Sequence, residues 1–416
     1  MNDALAAFRH PGVPRFAAGR FLSAMATTSV SVAVGWQLYE QTGSAWALGL
    51  TGLVEVVPVL LLALPAGVAA DRFPRRTVAV LAHLALASCA AALTALCLLG
   101  GPTWAYYPVL FAVGAAMAFR APSVGSMLPT LVPPRDFGNA NAWFSSTFEL
   151  ASMAGPALAG ALIAVAGGAQ LALGFACLAH LGFVGVLLSL PKRPAAQAGA
   201  ASSGLQDLLV GWRFVRRTRV FLAAITLDLF AVLLGGATAL LPVFAKDVLH
   251  VGPVGLGWLR AAPALGALLT ALVQTRLPPW KRPGRVLLLT VTGFGLATIG
   301  FGLSQVAWVS FVMLFLTGVF DNVSVVIRST LEQSLTPDAL RGRVSAVHHV
   351  FIGMSNELGS FESGATAALV GPVLSVVGGG VGTLLVVGLV AATFRELLAL
   401  PPLHQVRPEE SHHFQS

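Results

Sequence analysis

Apolar residues run through this sequence in blocks of roughly twenty, broken by short clusters of glycine, proline and charge. A block of that length is what an α-helix needs to cross a hydrocarbon layer about 30 Å thick at about 1.5 Å rise per residue. The pattern predicts twelve spans, over 16–39, 46–70, 76–99, 104–128, 137–165, 168–190, 219–245, 254–277, 285–304, 307–333, 343–369 and 372–399. The first block reads as a membrane span. The basic residues before it, Arg9, His10 and Arg15, are not followed by the short apolar core and small-residue cleavage site of a signal peptide.

The longest connection, 191–218, falls between the sixth and seventh blocks and opens on an Ala/Ser/Gly-rich stretch. Its second part sets Leu205, Leu208, Leu209 and Trp212 at helical spacing beside Arg213, Arg216 and Arg217. That arrangement predicts an amphipathic helix lying on the membrane surface. The chain therefore divides into a six-helix half (1–190), a linker (191–218), a second six-helix half (219–400) and a polar tail (401–416).

Composition agrees with the pattern. Charged residues make up 10% of the chain and hydrophobic ones 56%, against roughly 25% charged in soluble proteins. Cys89, Cys97 and Cys177 all fall inside apolar blocks, so they read as small buried apolar residues with no disulfide framework. The formal charge of +8 would fit a nucleic-acid binder, but the distribution of the basic residues gives it another meaning. Arg72, Arg75, Arg76, Arg135, Lys192, Arg193, Arg213, Arg216, Arg217, Arg219, Arg276, Lys281, Arg282, Arg285, Arg341 and Arg343 lie in alternate loops, on the side of the termini with Arg9, Arg15, Arg395 and Arg407. The opposite loops hold only Lys246. By the positive-inside rule both termini are cytoplasmic, and no nucleic-acid partner is implied.

Charges within a span are expensive and normally face a cavity or a partner. They are Arg20, Glu55, Arg120, Glu149, Asp228, Arg260, Asp321, Arg328, Glu332, Glu357 and Glu362, and none falls inside spans 3, 6, 9 or 12. A three-helix unit repeated four times, its third helix facing lipid, produces that pattern. In span 10, Asp321, Arg328 and Glu332 share one helix face, so Arg328 can pair with Glu332 one turn on. Asn141, Ser145, Glu149 and Ser152 make a polar stripe on span 5, and Arg20, Ser23, Thr27 and Ser31 make another on span 1. Together the stripes point to a water-accessible cavity.

The loop after span 2 reads Gly67-Val-Ala-Ala-Asp71-Arg72-Phe-Pro-Arg75-Arg76. The glycine permits close helix approach, the aspartate can cap the next helix, and the arginines anchor the cytoplasmic face. This loop resembles the signature Gly-x-x-x-Asp-Arg-x-x-Arg-Arg of the major facilitator superfamily, at the position between spans 2 and 3 where that family carries it. The resemblance implies a conformational gating loop. Span 5 holds Gly155-Pro156-Ala-Leu-Ala159-Gly160, which is similar to the Gly-Pro motif of the family's antiporters and exporters; read from the residues alone, it is a helix-packing kink. Faint echoes link the halves: Pro134 and Pro337 precede spans 5 and 11, and Gly160 and Gly364 follow at nearly equal distances. The stretches 37–44, 228–236, 321–328 and 341–345 resemble the enterobactin-exporter-like branch of that family, whose members are proton-linked exporters of siderophores, drugs and related amphiphiles.

These readings converge on an all-α membrane protein of the major facilitator fold, located in the bacterial inner membrane. The expected activity is proton-coupled export of a small amphiphile by alternating access. The partners are then a small-molecule substrate, protons and membrane lipids, with the chain a monomer, no cofactor, and the proton gradient as energy source. Glu149, Asp228, Asp321 and Glu357 are the leading proton carriers, with Glu55, Glu332 and Glu362 as further cavity candidates. Arg120 or Arg328 would pair with them or receive an anionic substrate group. A lipid flippase, or a non-transporting scaffold or enzyme on the same fold, are the alternatives. No phosphate-binding Gly-x-x-x-x-Gly-Lys-Ser/Thr loop or Gly-x-Ser-x-Gly elbow occurs. His348 and His349 are adjacent and point to different sides of a helix, so no metal site is expected.

Overall fold

A computed structural model describes residues 6–190, 204–278, 280–337, 340–402 and 405. No strand occurs among them. Twelve long helices dominate: α1 (Val13–Thr42), α2 (Ala45–Arg72), α3 (Arg75–Leu98), α4 (Tyr106–Gly125), α5 (Phe137–Ala166), α6 (Gln170–Ser189), α7 (Arg219–Leu234), α8 (Gly252–Gln274), α9 (Pro283–Leu303), α10 (Ala307–Leu335), α11 (Arg341–Val370) and α12 (Pro372–Thr393). Their ends follow local chemistry. Gly43 and Gly167, at φ +60° and +65°, terminate α1 and α5 in the left-handed conformation that glycine adopts without strain. Prolines open α1, α9 and α12, where a missing N–H leaves no bond unmade.

Eleven stretches of the described chain are helical, long and apolar enough to cross a membrane, the α7 stretch running on to Val248. The exception is α11, which at 30 residues is long enough but carries Arg341, Arg343, Glu357 and Glu362. Exposed leucines mark the membrane-facing surface. On α9 they are Leu289, Leu296 and Leu303, on α6 Leu171, Leu178 and Leu188, and on α12 Leu374, Leu385 and Leu389. Spacings of seven residues on α9, and of eleven and four on α12, come close to whole turns and keep each row on one helix face, and a water-facing helix would not display such a row. The helices that carry these rows are among those free of Asp, Glu, Lys and Arg in their interiors.

The chain forms two compact units, Met1–Ala47 with Leu53–Ala201 and Ala245–Ala261, and Leu48–Gly52 with Ser202–Phe244 and Ala262–Ser416. In the first, α1 packs on α5 and α6, and α3 on α4 and α6; in the second, α7 packs on α11 and α12, and α9 on α10 and α12. Each pairing recurs six helices later, which is the physical form of an internal repeat. The glycine echo obeys the same rule. An added Cβ at Gly160 of α5 would lie 3.0 Å from Cα of Gly257 on α8, within the first unit. In the second unit, an added Cβ at Gly49 of α2 would lie 3.0 Å from Cα of Gly364 on α11.

Two elements carry detail beyond the expected spans. The linker helix, Gly204–Arg217, is present: Leu209 is exposed, while Trp212 stacks on Phe351 of α11 (5.5 Å, 15°), Val215 is fully buried, and Gly211 sits against the Arg343 carbonyl. The Leu205 and Leu208 side chains lie outside the described residues, as does the start of the linker. The seventh block is not one continuous α-helix over 219–245. It breaks at Gly235–Gly236, continues as a tight turn over Ala237–Leu240 and ends in a wide turn over Phe244–Val248. Gly236 can sit there because an added Cβ would meet the Gly359 backbone and the Ser363 hydroxyl.

Candidate functional site

The broken end of α7 borders a cavity of about 180 Å³ in the second unit, lined by Gly235, Gly236, Thr238, Thr298, Thr317, Asp321 and Asn356 among others. Discontinuous helices at membrane depth are tolerated where they line such a cavity, because the released backbone groups find polar surroundings there. Beside the cavity lies an ion network. Arg328, 3% exposed, pairs through Nη1 with Asp228 of α7 and through Nη2 with Asp321 two turns back on its own helix, at 3.7 Å. Its Nε also donates to the Ser324 carbonyl at 3.4 Å. The two carboxylates differ in access: the Asp228 side chain is 9% exposed and that of Asp321 49%. One arginine is thus shared between a sequestered carboxylate and one open to the cavity.

That arrangement corrects the pairing expected for Arg328. It turns to Asp228 and Asp321, while Glu332 accepts a 2.5 Å bond from His348 of α11. The reason is packing: α7 brings Asp228 onto the face of α10 that carries Arg328, and α11 brings His348 to Glu332. Of the other carboxylates, Glu362 is held by Thr366 of its own helix at 2.8 Å, and Glu357 lies beside Gly52. Glu55 is half-buried on α2. Glu149 on α5 is half-buried and makes no hydrogen bond or ion pair with a described residue. The leading carboxylates therefore do not form one cluster. Asp228 and Asp321 converge, whereas Glu149 belongs to the first unit.

In the first unit the polar residues converge differently. The Ser23 hydroxyl of α1 lies 3.0 Å from Nε2 of His83 on α3 and 3.5 Å from Nδ1 of His180 on α6. Nδ1 of His83 sits 2.8 Å from the Ala79 carbonyl, which can only accept, so that nitrogen carries the proton and Nε2 accepts from Ser23. His83 and His180 are buried. A search for charge alone passes over both, because they fall in helices whose interiors hold no Asp, Glu, Lys or Arg. Their place on apolar blocks opposite a serine stripe is the signal that would have found them. Arg20 lies over the Phe144 ring at 5.4 Å, and Nε of Arg120 on α4 is buried with no hydrogen-bond partner among the described residues.

The loop after α2 is built by capping. Nη1 of Arg75 donates to the Ser126 carbonyl at the end of α4 (2.8 Å), and Arg76 donates to the Leu190 (2.6 Å) and Leu188 carbonyls at the end of α6. Cations at helix C-termini satisfy unpaired carbonyls and complement the helix dipole. Two details of this loop are added by the structure. An added Cβ at Gly67 meets no described residue within 4 Å, and Pro74, with no side-chain cap bond, stands at the position before α3. Arg72 is exposed, and the Asp71 side chain lies outside the described residues. On α5, Gly155 lets α1 approach closely enough for Ser29 to donate to the Gly155 carbonyl at 3.0 Å, whereas Pro156 and Gly160 meet Gly257 of α8 on another face of the helix.

The Major Facilitator Superfamily model matches residues 16–360. The chain belongs to the major facilitator superfamily. It is 29% identical over 401 residues to the enterobactin exporter EntS of Escherichia coli O1:K1 / APEC, covering 94% of this chain and 95% of that protein. The EntS of Shigella boydii serotype 18 matches to the same extent. Solved structures of similar fold include the nucleoside transporter NupG (TM-score 0.70, 14% identity, 95% of this chain and 99% of that one) and the peptide transporter POT (TM-score 0.72, 13% identity, 94% and 96%). The protein is accordingly a multi-pass transporter of the bacterial inner membrane, not an enzyme. No cluster of metal-ligating side chains occurs among the described residues.

Proposed function

We propose that this major facilitator protein is a proton-coupled exporter of a small amphiphilic molecule, working by alternating access. In this reading α11 also crosses the membrane, bringing the spans to twelve, its charges facing inward, and both termini lie in the cytoplasm. The Lys/Arg distribution supports that orientation, and the exporter relatives at 29% identity support the direction of transport.

The observation that carries the reading is the Arg328 network beside the cavity at the break in α7. With both aspartates ionised the trio bears one net negative charge; with one protonated it is neutral. Asp321, half-exposed, is the group that exchanges a proton with the cavity. When it is protonated, Arg328 keeps Asp228 as its only charged partner; when it is ionised, the guanidinium is drawn toward both. A shared cation therefore links protonation of one helix to the attachment of another, which a proton-driven rocking mechanism requires.

The test is accumulation of a fluorescent amphiphile in cells making the protein, with and without a protonophore. Lower accumulation that the protonophore abolishes, and that Asp321→Asn also abolishes, is the expected result. Efflux that persists after the gradient is collapsed would remove proton coupling. Efflux untouched by Asp321→Asn and Asp228→Asn together would remove the network from the mechanism.

A further inference from the structure

The polar groups that line the cavity at the break in α7 present mostly lone pairs. Among the described residues, none that lines it is Lys, Arg or His. Two of its threonines have spent their protons on the backbone: Thr298 donates to the Phe294 carbonyl at 2.9 Å, and Thr317 to the Leu314 carbonyl at 2.6 Å. A hydroxyl whose proton is so used can only accept from a ligand. Asn356 commits one amide hydrogen to the Ile352 carbonyl at 2.9 Å, which leaves its Oδ1 and a single N–H. Asp321 adds a half-exposed carboxylate. Helix α7 itself ends at this wall: the Gly235 N–H closes the last turn on the Ala231 carbonyl, and the Ala237 N–H turns to the Gly235 carbonyl instead of reaching back to Leu233. A helix C-terminus carries unmade carbonyl bonds and the negative end of the helix dipole. Arg328, the cation that the sequence offered to an anionic group, is held by Asp228 and Asp321.

From this we infer that the cavity binds an organic ammonium group, a positively charged head with N–H donors on an apolar body. A carboxylate, hydroxyl lone pairs and a helix C-terminus converge on one space with a single sign, and a cleft lined in that way concentrates the opposite charge. An acidic ligand would meet Asp321 and the carbonyl end of α7 with no free cation to receive it. Phe294, Phe301 and Leu314 supply the apolar wall for the body of the molecule. With both aspartates ionised the trio around Arg328 bears one net negative charge, and an ammonium ion neutralises it as a proton does. The inference rests on the proposed export function and gives its cargo a cationic head.

The purified protein in detergent, with no gradient present, would be titrated with benzylammonium, benzyl alcohol and benzoate while its Tm is followed, since a ligand that binds only the folded protein raises Tm by mass action. The three share a ring and differ in charge. Benzylammonium is expected to raise Tm saturably, and the other two to leave it unchanged. Asp321→Asn should weaken benzylammonium by at least about tenfold. Thr298→Val combined with Thr317→Val should weaken it by about threefold, because valine keeps the shape and loses the lone pairs. A response to benzyl alcohol equal to that to benzylammonium, or a stronger one to benzoate, overturns the preference for a cation. No saturable shift from benzylammonium, or an equal one in Asp321→Asn, overturns the site itself. Should Asp321→Asn fail to fold, the threonine double variant carries the same comparison. Because efflux is not measured, a negative result here leaves proton-driven export standing with a cargo of other chemistry, and a failed efflux assay leaves the binding result standing.

Discussion

Replacing Asp228 by Asn should damage the protein far more than replacing Asp321, although both contact one arginine. Asp228 is almost completely buried against Arg328, itself 3% exposed. Removing one member of a buried pair leaves an uncompensated charge, a loss of about 3–5 kcal/mol. Arg328 would retain only Asp321, at 3.7 Å and half-open to the cavity. An ion pair that solvent reaches contributes about 0–1 kcal/mol, so Asp321→Asn should change stability little. The assay is thermal unfolding of each purified variant in one detergent. For a unit of this size unfolding cooperatively, the Asp228→Asn loss corresponds to roughly 10 °C, and that of Asp321→Asn to a few degrees at most. Arg328→Met combined with Asp228→Asn removes the orphaned charge and should recover much of the loss. Equal Tm values for the two single variants, or no recovery in the double variant, would refute the account of the network.

Two further outcomes follow from packing and capping. Gly160→Leu should prevent a folded, monodisperse protein, because even its Cβ would lie 3.0 Å from Cα of Gly257, with backbone on both sides and no flexible side chain to yield; size-exclusion chromatography reads this, and a normal profile would contradict the packing of α5 on α8. Arg76→Gln should lower Tm through the loss of two carbonyl contacts at the end of α6, worth about 1 kcal/mol, and Arg76→Lys should restore only part, since an ammonium lacks the fork that spans Leu188 and Leu190; full recovery by lysine would show that charge alone matters.

Local rules made much of this molecule legible before any coordinates. The length of the apolar blocks and the absence of charge from every third one anticipated both the helices and the leucine rows on α6, α9 and α12. Pairings across the fold were less accessible. Arg328 looks toward Glu332 along its own helix, and only the packing of α7 against α10 makes Asp228 its partner. The break at Gly235–Gly236 hides inside a run whose hydropathy never falters, because a glycine pair is apolar whether wound or unwound. His83 and His180 escaped because histidine in an apolar block does not announce itself as charge, yet a serine from a third helix joins them. The loop after α2 shows the converse. Its sequence pattern is plain, while the work of Arg75 and Arg76 depends on where α4 and α6 end.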